Sequence, residues 1–118
     1  MNGYEALKEW YVNYCSAEFD YDEDETERDF DRAHESGTDL GVLYTTFDDD
    51  NEEEHDIQVS ILLKPATDLI YVDDKLIYSN TFDSFEDMAG SYECADFQGI
   101  YEWACDIARE KMSVEKGE

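Results

Sequence analysis

The residues able to do chemistry in this chain are overwhelmingly carboxylates, held in two windows. "EFDYDEDETERDFD", Glu18–Asp31, has nine acids in fourteen residues, with Arg28 as its only base. "DDDNEEEHD", Asp48–Asp56, adds seven more, so the two windows hold sixteen of the chain's 33 acids. Carboxylates at this density could ligate a hard cation, move protons, or face cationic groups on a partner.

Calcium is the first test. Asp20-x-Asp22-x-Asp24 opens like an EF-hand loop, which then needs Gly at its sixth position and Glu at its twelfth. Glu25 and Asp31 stand there instead, and a frame begun at Asp48 puts Glu53 and Val59 in those places. Neither frame is a dedicated site, and no metal ligand set is assigned. Asp73-Asp74-Lys75 fits half of a magnesium nuclease motif, but a chain of net charge −25 repels the DNA such an enzyme must hold. His34 and His55, the only histidines, sit in or beside acid-rich segments and read as solvated surface groups whose charged form is favoured. There is no nucleophile elbow, Walker loop or GxGxxG, so no catalytic residue and no cofactor is assigned. Proton transfer has no distinctive geometry here, because abundant carboxylates make any pair uninformative.

Composition bounds the rest. The chain has 118 residues, 42% of them apolar, enough for one domain with a real core. Nine tyrosines, six phenylalanines and two tryptophans supply large buried areas, Trp10 and Trp103 among them. No run of about 18 apolar residues suggests a membrane span. The N-terminal "MNGYEALKEWYVNYC" lacks the basic and apolar regions of a signal peptide. Cys15, Cys94 and Cys105 lack metal-ligand spacing and read as three buried free thiols in a reducing bacterial cytoplasm. Adaptation to a salty cytoplasm would spread acids evenly, whereas here they cluster.

Helical periodicity predicts a first helix over residues 3–17, with Tyr4, Leu7, Tyr11 and Tyr14 on one stripe and Asn2 as its cap. "DYDEDE" has no apolar period and predicts a loop or extended segment. A short helix follows from about 26 to 35, capped by Thr26 and stopped by Gly37. "DLGVLYTTFD" alternates, with Leu40, Val42, Tyr44 and Thr46 on one face and Leu43 and Phe47 on the other. "HDIQVSILLK", "DLIYV" and "KLIYS" read as further strands, the last two joined by an Asp73-Asp74 turn. Asp48–Asp56 is then a long hairpin loop. Ser84 caps "FEDMAG", which Gly90 stops, and Asp96 caps "FQGIYEWACDIAREKM", leaving a frayed tail from about 113. The fold class expected is α+β: one domain, 1–118, with an antiparallel sheet of three to four strands and N- and C-terminal helices packed on it.

In an extended segment Asp20, Asp22 and Asp24 would form a row about 6–7 Å apart. Glu27 and Asp31 would be about 5–6 Å apart on a helix. Such rows could occupy a Lys/Arg-lined groove that normally holds phosphates, with Phe19 and Tyr21 as apolar anchors. The candidate partner-binding residues are Asp20, Tyr21, Asp22, Glu23, Asp24, Glu25, Glu27, Asp29 and Asp31, with Asp48, Asp49, Asp50, Glu52, Glu53 and Glu54. The partner expected is a basic nucleic-acid-binding protein, with no direct nucleic acid and no membrane.

A small, strongly acidic α+β chain with clustered carboxylates resembles the DNA-mimic inhibitors made by phages and mobile elements. These include anti-CRISPR proteins that fill the DNA-binding cleft of Cas9, and acidic anti-restriction proteins. The order helix, three or four strands, then the helices "FEDMAG" and "FQGIYEWACDIAREKM" is similar to one Cas9-inhibitor type. The helical segment at Glu27–Glu35 departs from that order. The resemblance implies inhibition without catalysis or cofactor, with Cas9 or a restriction enzyme as target. Charge alone also fits an immunity protein that neutralises a basic nuclease toxin, or a generic acidic interaction module.

Overall fold

The computed structural model describes residues 3–116. In chain order the elements are α1 (Gly3–Phe19), α2 (Glu23–Ser36), β1 (Leu40–Asp48), β2 (Glu54–Leu63), β3 (Ala66–Val72), β4 (Lys75–Thr81), α3 (Phe85–Tyr92) and α4 (Phe97–Lys116). The four strands form one antiparallel sheet in sequence order, and the fold is α+β. The N-terminal helix pair, four strands and C-terminal helix pair follow the predicted order. Helix α4 crosses all four strands, while α1 packs on α2 and α3.

Local chemistry explains the boundaries. Asp22 is in the extended region and its side chain accepts from Glu25 N at 3.0 Å, capping α2. Glu23, Asp24 and Glu25 then complement the helix dipole. The helix therefore starts at Glu23, ahead of the predicted Thr26, and the expected loop through "DYDEDE" shrinks to Asp20–Asp22. Thr26 is buried instead, its hydroxyl donating to Asp22 O at 2.8 Å. Gly37, at φ 73°, closes α2 with a hydrogen bond to Ala33 O. Asp73 and Asp74, at φ 51° and 66°, make the tight β3–β4 turn. Ser84 caps α3 as predicted, accepting from Asp87 N at 3.2 Å, but the helix passes Gly90 and ends at Tyr92. Asp96 Oδ1 accepts from Gly99 N at 2.8 Å at the start of α4. That helix continues to Lys116, beyond the predicted fraying point. The predicted cap Asn2 lies outside the described residues.

A bulge between Gly41 and Leu43 breaks the expected alternation of β1 and turns Val42 into the core beside Leu43 and Phe47. These join Ile57, Val59, Ile61 and Leu63 of β2, Ile70 and Val72 of β3, and Leu7, Phe30, Met88, Ile100 and Ala104 from the helices. Cys15 and Cys105 are buried free thiols, and burial pushes Cys15 up to about 11. Cys94 is exposed, against expectation, because it falls in the turn between α3 and α4.

The opposite face of the sheet carries a different population. Register places Tyr44, Gln58, Tyr71 and Leu76 in one cross-strand row, with Ser60, Leu69 and Ser79 in the next. Leu62, Thr67 and Thr81 form a third. Tyr44, Leu62, Tyr71 and Leu76 stand outside the core cluster, while Leu69 is buried on this side of the sheet. The small residues are shielded locally: Gln58 Nε2 donates to Ser60 Oγ at 3.0 Å, and the Thr67 and Thr81 hydroxyls pair at 3.2 Å.

Candidate functional site: an acidic helical surface

The first window is a helical surface, so the extended row of Asp20, Asp22 and Asp24 does not form. Asp20 sits at φ 57° in the link between helices, Asp22 is the cap, and Asp24 lies in the first turn of α2. Tyr21 is 57% exposed, as an interface anchor would be. Phe19 is half-buried against Tyr14 and Phe97 and contributes mainly to packing. Glu23, Asp24, Glu25, Glu27 and Asp29 are exposed. Across residues 23–29 they span about 9 Å of helix axis at about 1.5 Å per residue. Net of Arg28 that is four charges, about one per 2.3 Å, against about one per 1.7 Å for duplex DNA. Arg32 reaches Asp29 at 3.4 Å; both are well exposed, so the pair adds little stability, but it offsets the Asp29 charge locally.

Asp31 is different. It accepts from Tyr4 Oη at 2.7 Å and from Lys8 Nζ at 3.1 Å, bonds that tie α2 to α1. The Tyr4 hydroxyl first, and Lys8 as well, hold its carboxyl below the usual range. Its charge is paired with Lys8, although the side chain itself is half exposed. From α1, Glu5, Lys8 and Glu9 line a groove with Glu23, Asp24 and Glu27 of α2. The sequence reading did not select Glu5 or Glu9. Their i, i+4 spacing, off the Leu7–Tyr11 stripe, is the signal that could have found them.

The second window folds back on itself. Asp49 is buried at 9% exposure, and its Oδ1 accepts from Asn51 N at 2.8 Å and Glu53 N at 3.0 Å. Its Oδ2 lies 2.9 Å from His55 Nε2, while His55 Nδ1 lies 2.7 Å from Asp73 Oδ2. Asp73 Oδ1 also accepts from Asp56 N at 3.1 Å. Ionised carboxylates only accept, so it is the doubly protonated imidazole that can donate to both and clamp the two turns together. Asp49 is thus removed from the partner-binding set, while Asp48, Asp50, Glu52, Glu53 and Glu54 remain exposed. His55 is not the solvated group expected: its side chain is 16% exposed. His34 likewise packs edge-on against Tyr4, with ring centroids 4.9 Å apart. Asp49, Glu53 and His55 bring ligand-type atoms within 4.8 Å of one another. Both His55 nitrogens already lie within hydrogen-bond distance of carboxylates, so a cation would have to displace the His55–Asp49 contact.

This clamp has a pH signature. Asp73, then Asp49, raise the His55 pKa above its ordinary 6.5, and His55 lowers that of Asp73. A histidine raised on folding stabilises fully below its unfolded pKa, and that contribution is lost as pH rises through the folded value. A proton NMR titration should place the His55 midpoint above about 6.5, with the Asn51 and Glu53 amides losing exchange protection as it deprotonates. A midpoint at or below the free value, or protection indifferent to it, would refute the clamp.

One carboxylate lies in the interior. Asp68 on β3 is 4% exposed, and its Oδ1 accepts from Tyr92 Oη at 2.5 Å. Burial pushes it up to about 6, partly offset by the tyrosine. It lines a cavity between α3 and α4 with Trp103 and Ile100.

Among the described residues, no helix is long and apolar enough to cross a membrane. Compared with protein-family models, curated proteins and solved structures, the chain matches none.

Proposed function

We propose that this chain is a non-catalytic inhibitor that mimics DNA charge and fills the basic nucleic-acid-binding cleft of a defence nuclease. The observation that carries this reading is the acidic first half of α2, residues 23–29, where a net charge of about one per 2.3 Å, the same order as duplex DNA, is fixed on an ordered, capped helix. A rigid array has already met the entropy cost that a flexible acidic tail would meet on binding. Glu5 and Glu9 widen the array, and Tyr21 stands beside it as an aromatic anchor. The exposed acids of the β1–β2 loop form a second anionic surface.

A basic cleft that takes up these carboxylates in place of phosphates releases its own bound anions and gains long-range steering. Guide-loaded Cas9 is the first target proposed, and a restriction enzyme the second. The test is displacement of labelled DNA from each purified enzyme. Loss of DNA binding at stoichiometric inhibitor is the expected result, and unaltered DNA binding by both enzymes would remove these targets.

A further inference from the structure

In a chain where 35% of residues are charged, the open face of the sheet carries no charge in its three cross-strand rows. Three large apolar residues are exposed among those described: Tyr21, Tyr44 and Leu76. Tyr44 and Leu76 belong to the same row, joined through Gln58 and Tyr71. Tyr21 shares a groove with Tyr44 and Gln58 at the β1 edge. The exposed apolar groups therefore share this face, Tyr44 on β1 and Leu76 on β4 at its two edges, with part-buried Leu62 and Tyr71 on the strands between them and Leu69 buried at 9%.

We propose that this face is a self-association surface, covered by the same face of a second copy of the chain. A two-fold interface places one patch against itself, so the patch must be self-complementary. With 33 acids against 8 bases, an acidic patch meeting its copy apposes like charges, whereas the neutral rows meet without that cost. Asp56 closes β2 at the loop end, so the charge there lies at the margin of the face. Four strands about 4.8 Å apart and about 20 Å of strand length give a face of roughly 300–400 Å² in projection. That is about half the roughly 800 Å² per partner of a standard interface, so the dimer is reversible and concentration-dependent. Both copies repel through their net charge, so added salt strengthens the dimer by screening it. Binding to a basic cleft has the opposite salt dependence, which separates this surface from the acidic one.

Sedimentation velocity of the full chain, from micromolar to millimolar concentration at low salt and at about 0.5 M salt, tests this. Expected is a monomer–dimer equilibrium that moves towards dimer at high salt. Tyr44→Glu and Leu76→Glu, both at exposed positions, should each weaken it at least tenfold with circular dichroism unchanged. A monomer under every condition overturns the proposal, as does a dimer indifferent to both substitutions. A monomer whose sheet-face amides gain exchange protection only in complex with a nuclease also overturns it, assigning the face to that partner.

Discussion

Replacing Glu23, Asp24 and Glu27 together by Gln, Asn and Gln should weaken displacement of DNA from the target about a hundredfold. Each lost charge–charge contact is worth on the order of 1 kcal/mol, a low value for a cleft contact. The fold should survive, because all three side chains are exposed and Asp22, which caps the helix, is left in place. Loss of the dipole interactions at Glu23 and Asp24 costs a few tenths of a kcal/mol each, and relief of repulsion between neighbouring acids offsets it. The salt dependence of binding should flatten in step, by about one unit of log–log slope per contact removed. A variant that binds as tightly as the parent would move the interface to the exposed acids at Asp48, Asp50 and Glu52–Glu54. Asp31→Asn is the instructive comparison. It should lower stability by breaking the Tyr4 and Lys8 bonds, with little direct effect on binding.

The second large effect concerns stability. Asp68 has a folded pKa of about 6 against an ordinary 3.8. An acid raised on folding contributes stability that is fully present below its unfolded pKa and lost as pH rises through the folded one. At pH 7 its buried charge therefore costs on the order of 3 kcal/mol. Asp68→Asn keeps an oxygen that can accept from Tyr92 and removes the charge. Urea unfolding should find the variant more stable than the parent by about 1–2 kcal/mol at pH 7. Near pH 4 the difference should shrink towards zero. A variant less stable at both pH values would mean that the carboxylate does more than accept from Tyr92.

Element order was readable because the apolar period changes cleanly, from helical in "YEALKEWYVNYC" to alternating in "HDIQVSILLK". Asp73-Asp74 and Ser84 were readable because turn and cap chemistry is local. Start sites were harder where several polar residues compete. Asp22 and Thr26 can both cap a helix, and burial of Thr26 against the core decided for Asp22. The same limit applied to the acids. Sequence shows where carboxylates are dense, but not which are consumed by contacts from distant positions. Asp31 is held by Tyr4, 27 residues away, and His55 is held by Asp73, 18 residues away. Likewise the neutral sheet face becomes visible only when register aligns Tyr44 with Gln58, Tyr71 and Leu76.

The most direct measurement of the inhibitor reading is occupancy of one target by both ligands. Guide-loaded Cas9, this chain and a cognate DNA duplex would be mixed at saturating concentrations, and the masses of the resulting complexes counted. If the carboxylates of α2 take the place of phosphates, only two binary complexes should form, and raising either ligand should deplete the other. A ternary complex holding both would contradict occupation of the DNA cleft.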